Sequence, residues 1–225
     1  MNKLINNLSK ILVIFDFDGV LKPDTAKAIE THLEVAGKMN LPLTKEVLIK
    51  HWGKVWESSL IPDIAKEMGW PNSVQAEFIK LAIGNSVLSY NGNPYPKIKQ
   101  ALDSLGTVDK TILTSREKTT LDILLDKMEI REKFIYLQSA DCCRYHKPLK
   151  EAFQPTLDFI NHKKYDRIFY VGDTIDYDYA PIRDYFPEII FIGVESILVS
   201  REEFKQAGVE YVINDISEIF DIINN

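Results

Sequence analysis

Short runs of apolar residues recur along the chain, and polar or turn-forming residues bound each of them. The first run, Ile11–Phe15, is continuous and rich in β-branched residues, which is typical of a strand buried on both faces of a parallel sheet. Five further runs have the same character, at residues 111–114, 134–137, 167–171, 189–192 and 211–213. The pattern therefore predicts six short strands.

Most of the segments between these strands carry apolar residues at helical spacing. Ile98, Leu102 and Leu105 form one apolar stripe, and Leu121 and Leu125 belong to another. Strands that alternate with helices are typical of a domain in which helices cover both faces of a parallel sheet. We therefore predict a doubly wound, Rossmann-like α/β core.

The stretch from about residue 25 to residue 93 interrupts this alternation, because it contains helical patterns and no convincing strand. The predicted helices cover residues 26–38, 44–56, 61–68 and 73–88. We expect Thr44 and Ser73 to cap two of them, since their hydroxyl groups accept hydrogen bonds from the first amides of a helix. The pattern predicts an all-helical insertion between the first and second strands.

The length of 225 residues suffices for a core domain that carries a second, smaller domain. We predict that residues 1–22 and 94–225 form the α/β core and that residues 23–93 form the helical domain. Hydrophobic residues make up 45% of the chain, so a sizeable core is possible.

The formal net charge of −6 argues against a broad cationic surface for a nucleic-acid polymer or an anionic membrane. No apolar segment approaches the ~20 residues that a membrane-spanning helix needs. Cys142 and Cys143 are adjacent, which strains a disulfide ring and indicates reduced thiols. We therefore expect a soluble, cytoplasmic protein, while its oligomeric state stays open.

Acidic residues follow two of the predicted strands. Asp16 and Asp18 come directly after the first strand, and Gly19 behind them allows close approach of the backbone to a ligand. Because sites form beyond the carboxyl ends of parallel strands, these acids lie where a ligand is expected, although solvated turn acids would give the same pattern. Three acids close together are costly unless they are solvated or face a cation. The strand that ends at Val171 is followed by such a group: Asp173, Asp176 and Asp178.

Two further segments carry candidate chemistry. Thr114, Ser115 and Arg116 follow the second strand, and hydroxyl and amide groups at a helix start would bind an anion, although an ordinary helix cap is the alternative. Lys147 precedes Pro148, a residue that favours the start of a helix. Alone, such a lysine is usually a surface charge. An α/β topology brings all of these residues to one edge of the sheet.

Taken in order along the chain, these motifs resemble those of the haloacid dehalogenase (HAD) superfamily. Residues 15–20 resemble its first motif, residues 113–115 its second, residues 147–148 its third and residues 171–178 its fourth. The resemblance spans about residues 11–215, nearly the whole chain. Within the superfamily the chain looks like phosphatases of the phosphoglycolate phosphatase type, in which a helical C1 cap is inserted after the first motif.

The resemblance implies a role for each motif residue. Asp16 would attack phosphorus and become transiently phosphorylated, while Asp18 would act first as general acid and then as general base. Lys147 would neutralise the charge of the phosphate and of the nucleophile. The residues that the resemblance places around the phosphate are Gly19, Thr114 and Ser115.

The resemblance also implies a magnesium ion, which favours carboxylate, carbonyl and water oxygens. The implied ligands are the carboxylates of Asp16 and Asp173 and the backbone carbonyl of Asp18. A further acid would support the metal from behind. Both Asp178 and Asp176 have a suitable spacing for this, and the longer spacing favours Asp178.

Specificity is expected to come from the helical insertion. Trp52, Gly53 and Lys54 would reach the leaving group, and Arg116 could pair with an anionic part of the substrate. The alternatives are structural: Trp52 and Trp56 lie four residues apart, which is the spacing of core packing in a helix, and Arg116 could form a surface ion pair.

These features predict a Mg²⁺-dependent phosphatase acting on a small phosphorylated metabolite, such as a sugar phosphate, a phosphoglycolate-like acid or a nucleotide. The family's dehalogenases lack an acid at the position of Asp18, and its phosphonatases need a cap lysine, for which Lys50 or Lys54 would be available. A phosphosugar mutase shares all four motifs and stays open. A non-catalytic phospho-acceptor module of the response-regulator type is disfavoured by the helical insertion and by Asp18, and an inactive scaffold by the presence of every core residue.

Overall fold

The computed structural model of the protein describes residues 10–52, 60–86 and 91–224. All six predicted strands are confirmed, each within two residues of its predicted limits. They form one parallel sheet. The strands are β1 (Ile11–Phe15), β2 (Asp109–Leu113), β3 (Tyr136–Gln138), β4 (Arg167–Gly172), β5 (Ile190–Val194) and β6 (Tyr211–Ile213).

The strand order is β3-β2-β1-β4-β5-β6, which confirms the doubly wound, Rossmann-like core. In this order the winding direction reverses between β1 and β4, and ligands bind in the crevice beyond the carboxyl ends of such a pair. The two strands pair from Ile11 with Arg167 to Phe15 with Val171. The loops that follow them therefore start side by side.

Helices cover both faces of the sheet. Leu12 and Ile14 of β1 point to one apolar cluster, while Val13 and Phe15 point to the other, because successive side chains of a strand alternate between faces. Within the described ranges no helix has the length and apolarity needed to cross a bilayer. The helices are α1 (Thr25–Lys38), α2 (Lys45–His51), α3 (Leu60–Met68), α4 (Asn72–Gly84), α5 (Pro96–Ser104), α6 (Lys118–Met128), α7 (Gln154–Asn161), α8 (Ala180–Tyr185), α9 (Arg201–Gln206) and α10 (Ile219–Asn224).

Helices α1 to α4 form the helical insertion between β1 and β2, and its described residues contain no strand. They pack around an apolar cluster of their own, at the centre of which Leu48 and Phe78 are fully buried. The limits of this domain at residues 23 and 93 stay predictions. Of the predicted helix at 44–56, residues 53–56 lie outside the described residues, as do residues 87–88 of the predicted helix at 73–88.

One of the two predicted helix caps is confirmed. The hydroxyl group of Thr44 accepts a hydrogen bond from the amide of Val47 at 3.4 Å, at the start of α2. The prediction for Ser73 is wrong, because α4 already begins at Asn72 and Pro71 occupies the capping position. The backbone of Pro71, with φ −61° and ψ 152°, is extended and leads directly into the helix.

Candidate active site

The loops that follow β1 and β4 bring three carboxylates together at the switch point. Asp16 directly follows β1, and its amide donates a hydrogen bond to the carbonyl of Val171 at 2.9 Å. Asp173 directly follows β4, and Asp178 lies in a π-helical turn at 175–179. One oxygen of each of these carboxylates lies within 4.8 Å of the others, and all three residues are buried. Asp176, in contrast, is exposed.

The three carboxylates of the cluster carry more negative charge than their one cationic neighbour, Lys147, can offset. Burial, opposed by Lys147 and reinforced by Asp178 and Asp18, raises the pKa of Asp16 to about 7. Burial and the charges of Asp178 and Asp16 raise the pKa of Asp173 well above its ordinary range. The Oδ2 atom of Asp173 is buried and has no hydrogen-bond partner among the described residues. Grouped carboxylates with an unsatisfied oxygen are suited to a hard divalent cation.

Two glycines leave room for these carboxylates. Gly19 has a φ of +80°, and a Cβ atom there would lie 1.9 Å from Oδ2 of Asp173. A Cβ atom on Gly172 would lie 2.6 Å from the Cβ atom of Asp178. Gly19 was predicted to bind phosphate, and in the structure it lets the first loop pass close to Asp173. Gly172 was not predicted to belong to the site, although its position directly before Asp173 in the fourth motif could have indicated it.

The carboxylate of Asp178 is hydrogen-bonded through both of its oxygens. Its Oδ1 atom accepts from Lys147 Nζ at 2.6 Å and from the hydroxyl group of Tyr170 at 2.8 Å. Its Oδ2 atom accepts from the amide of Thr174 at 3.1 Å and from the hydroxyl group of the same residue. Neither Tyr170 nor Thr174 was predicted, since a tyrosine in an apolar strand is typical of a core residue.

Lys147 bridges two members of the cluster. Its Nζ atom lies 3.1 Å from Oδ1 of Asp16 and 2.6 Å from Oδ1 of Asp178, and its side chain is 5% exposed. Burial alone would lower the pKa of Lys147, but the charges of Asp16 and Asp178 outweigh burial and raise that pKa well above its ordinary value. The lysine is therefore a permanent cation and not a surface charge.

The local structure around Lys147 corrects one prediction. Pro148 does not start an α-helix: the Lys147–Pro148 peptide is cis and lies in a turn, and the next α-helix, α7, begins only at Gln154. Pro155 is the proline that occupies the first turn of that helix. A proline does lie at the start of this helix, but it is Pro155 and not Pro148.

Thr114 and Ser115 also lie in a loop and not at a helix start, because α6 begins at Lys118 after an extended Glu117. The amide of Thr114 donates to the carbonyl of Gln138 at 3.0 Å, which continues the pairing of β2 with β3. The Thr114 hydroxyl group accepts from the amide of Arg116 at 3.1 Å and so keeps its own proton for donation. Thr114 and Ser115 line the same cavity as Asp16.

Asp18 is held by two cations. The guanidinium of Arg116 donates to both of its oxygens, at 2.9 Å from Nε and 2.7 Å from Nη2. Lys22 Nζ lies 3.6 Å from Oδ1 of Asp18 and pairs more closely with Asp24, at 2.5 Å. Burial raises the pKa of Asp18, but Arg116 and Lys22 outweigh burial and hold that pKa below its ordinary value.

The ion pairs of Asp18 bear on the roles of Arg116 and Lys22. Arg116 was expected to meet an anionic part of the substrate or to form a surface ion pair, whereas its side chain is 10% exposed and forms a bidentate ion pair with Asp18. Lys22 was not identified, because a lysine behind the first motif carries no distinguishing pattern. It lines the cavity beside Asp18.

A cavity of about 500 Å³ joins the carboxylate cluster to the helical insertion. Asp16, Asp18 and Lys147 contribute to its core side. Trp52, which follows α2, lines the opposite side and also packs edge-on against His32, with ring centroids 5.3 Å apart. Trp52 therefore borders the cavity and also packs within the insertion, and its contact with the leaving group stays a prediction. The predicted specificity residues Gly53 and Lys54 lie outside the described residues.

A doubly wound sheet, a buried acidic cluster at its switch point and a helical insertion above it define a Rossmann-like α/β enzyme. The model of the haloacid dehalogenase-like hydrolases matches residues 13–180, which is more than half of the chain. The protein belongs to this family, as its motifs predicted. No curated protein matches its sequence.

Solved structures with the same fold come from proteins assigned different reactions. A proposed β-phosphoglucomutase from Thermotoga maritima is 20% identical, with a TM-score of 0.69 over 95% of this chain and 98% of that chain. A predicted phosphoglycolate phosphatase from Haemophilus somnus 129pt is 16% identical, with a TM-score of 0.67 over 94% and 97%. An L-2-haloacid dehalogenase from Xanthobacter autotrophicus is 14% identical, with a TM-score of 0.65 over 95% and 98%. These likenesses establish the fold, and a fold alone does not determine the reaction.

Proposed function

We propose that this protein is a magnesium-dependent phosphomonoester hydrolase that acts on a small phosphorylated metabolite through an aspartyl-phosphate on Asp16. The observation that carries the proposal is the placement of Asp16. Its carboxylate lines the cavity, lies 3.1 Å from the Lys147 ammonium and belongs to a strand-end loop that also supplies Asp18. A nucleophile, a charge-neutralising lysine and an acid–base carboxyl therefore share one site.

In the first step an oxygen of Asp16 attacks phosphorus, so that a bond from Asp16 to phosphorus forms and the bond to the leaving oxygen breaks. Lys147 keeps its positive charge beside the nucleophile throughout. The Thr114 hydroxyl group and the Ser115 amide, which belong to the loop after β2, would hold a phosphate oxygen. These donors come from a different strand than Asp16, which helps to fix the phosphoryl group in line for attack.

Asp18 would supply the proton for the leaving oxygen and later remove a proton from the water that attacks the aspartyl-phosphate. The second step breaks the bond between Asp16 and phosphorus and releases inorganic phosphate. Arg116 forms two hydrogen bonds with Asp18, so protonation of Asp18 requires that Arg116 give up one of them.

Asp16, Asp173 and the backbone carbonyl of Asp18 would hold the magnesium ion. The unsatisfied oxygen of Asp173 and the spacing of the three clustered carboxylates fit such an ion. Asp178 already accepts hydrogen bonds at both oxygens, so we assign it to support the site from behind, the role that the sequence left open between Asp178 and Asp176. When bound, the ion supplies positive charge that offsets the acids and permits a dianionic phosphate to approach.

Asp18 favours phosphate-ester chemistry over dehalogenation, because an alkoxide leaving group needs a proton whereas a halide does not. A mutase would use the same groups and would return the phosphoryl group to its substrate. Release of inorganic phosphate therefore separates the two reactions.

The test is a panel of phosphorylated metabolites, with inorganic phosphate as the readout, in the presence of Mg²⁺ and of EDTA. We expect Mg²⁺-dependent phosphate release that Asp16→Asn reduces on the order of 10³-fold or more. Asp176→Asn, in the exposed part of the fourth motif, is the matched control and should retain activity. Substantial activity in Asp16→Asn would refute the nucleophile, and isomerisation without phosphate release would make the protein a mutase.

A further inference from the structure

The cavity above the carboxylate cluster has two ends of different character. Its core end carries the acids and cations described above. Its other end is formed by the helical insertion, and the side chains that the described helices present there are mainly apolar. Since the phosphate must lie beside Asp16, the second end would receive the leaving group.

Helix α4 turns an apolar stripe toward the cavity. Ile79, Ala82 and Ile83 line it and, being three and four residues apart, lie on one face of the helix. Phe78, which is fully buried, points instead into the core of the insertion. Ile83 is 54% exposed, whereas Ala82 is buried and Ile79 packs against the apolar cluster of the insertion.

Two of the facing walls are also apolar, whereas α1 and the segment after α4 contribute polar residues, among them Thr31, Asn85 and Ser86. Leu60 and Ile61 contribute from the start of α3, and Trp52 contributes from the segment after α2. Leu198, in the loop after β5, lines the cavity from the core side and packs against the apolar cluster of the insertion. A leaving group in this space would therefore meet hydrocarbon on several sides.

Among the described residues, few charged groups are available to recognise the leaving group. The imidazole of His32 lines the cavity, its Nδ1 atom lies 2.7 Å from the carbonyl of Ala28, and burial lowers its pKa, which favours the neutral form. Every lysine and arginine among the described lining residues is already paired with a carboxylate. The pairs are Lys22 with Asp24, Lys27 with Glu30, Arg116 with Asp18 and Lys147 with Asp178.

We infer that the substrate of this site is a phosphomonoester of an uncharged, largely apolar alcohol, with an alkyl or aryl leaving group. The inference rests on the proposed phosphatase function and adds the class of leaving group. A polyol would have to exchange hydration for contact with hydrocarbon, which is unfavourable for each hydroxyl group that finds no partner. An alkyl chain gains from the same contact.

Alkyl and polyol phosphates of equal chain length test this directly, since both are esters of primary alcohols. We would measure kcat/KM with Mg²⁺ for methyl, propyl and pentyl phosphate, and for glycerol 3-phosphate and ribitol 5-phosphate. From methyl to pentyl phosphate, kcat/KM should rise by about two- to fourfold per methylene group, the upper value corresponding to full burial. Pentyl phosphate should exceed ribitol 5-phosphate by about tenfold or more.

Two variants on one helix locate the effect. Ile83→Asn should lower kcat/KM for pentyl phosphate by about three- to tenfold and leave methyl phosphate unchanged. Leu81→Asn is the matched control, because Leu81 is 37% exposed on the same helix and is not among the residues that line the cavity. Its kcat/KM values should equal those of the unmodified protein.

The outcomes separate the two proposals. If no ester in the series releases phosphate in the presence of Mg²⁺ although other members of the metabolite panel do, the function stands and the inference fails. If neither the series nor the panel releases phosphate, both are overturned. If phosphate is released but polyol esters are used as well as or better than alkyl esters, the function stands and the inference fails. The inference also fails if Ile83→Asn and Leu81→Asn have equal effects.

Discussion

Lys147 Nζ lies 3.1 Å from Oδ1 of Asp16, and both side chains are almost inaccessible to solvent. An ammonium in this position both neutralises the proposed nucleophile and keeps the acidic cluster folded. The same nitrogen bonds Asp178, so one cation offsets two buried carboxylates. Removing one partner of such a buried pair leaves charges uncompensated, which costs more than the pair itself contributes.

We therefore expect Lys147→Met to lose activity and to lower the free energy of unfolding at neutral pH by about 3–5 kcal/mol. Denaturant titration with EDTA present measures the stability change without a contribution from metal. The control is Lys150→Met, because Lys150 is exposed and lies only three residues from Lys147. Its free energy of unfolding should stay within about 0.5 kcal/mol of that of the unmodified protein. Equal destabilisation by the two substitutions would contradict the role assigned to Lys147.

Magnesium should stabilise the protein, and more strongly at high pH. The folded-state pKa values of Asp16 (about 7) and Asp173 are raised above their unfolded values. The folded state of the metal-free protein is therefore most stable at low pH, and its stability falls as the pH rises through about 7. A cation that binds the ionised carboxylates restores this stability. The increase in melting temperature on adding Mg²⁺ should be larger at pH 8 than at pH 6.

The control for the magnesium experiment uses two aspartates of the same motif. Asp173→Asn should abolish the Mg²⁺-dependent rise in melting temperature, while Asp176→Asn, at an exposed position, should preserve it. A rise of the same size in the Asp173→Asn variant, or one that is independent of pH, would show that the ion binds elsewhere.

Gly19→Ala should disrupt the site more than the fold. The added Cβ atom would lie 1.9 Å from Oδ2 of Asp173, so the carboxylate must move, and the φ of +80° adds strain. Gly69→Ala is a matched control, because Gly69 has a φ of +67° and its Cβ atom would meet nothing within 4 Å. We expect both variants to lose about 1 kcal/mol of stability from backbone strain, and Gly19→Ala alone to lose phosphate release and the Mg²⁺-dependent thermal shift.

Trp52→Ala should change substrate preference more than general turnover, because the indole lines the leaving-group end of the cavity. The measured quantity is the ratio of kcat/KM for the preferred substrate to that for a generic aryl phosphate. The edge-on contact with His32 predicts some loss of stability as well. Equal losses on every substrate, accompanied by a lower melting temperature, would assign Trp52 to packing alone.

Local patterns explain what could be predicted of the fold. β1 is apolar at every position because both of its faces are buried, so its sequence alone indicates a central parallel strand. The capping role of Thr44 was equally visible, since it depends on residues three positions apart. The starts of α4, α6 and α7 were misplaced, because proline, serine and threonine signals fit several neighbouring positions and the tertiary packing chooses among them.

The sequence by itself determined the six strands, the helical insertion and the family, because apolar runs and motif order are properties of neighbouring residues. Only the tertiary structure decided that Asp178 joins the cluster while Asp176 faces solvent. It also decided that Arg116 pairs with Asp18, a residue 98 positions away, and that Tyr170 bonds the cluster. Burial and ion pairing depend on which loops the folded sheet brings side by side. No pattern of neighbouring residues encodes the distance between side chains that lie far apart along the chain.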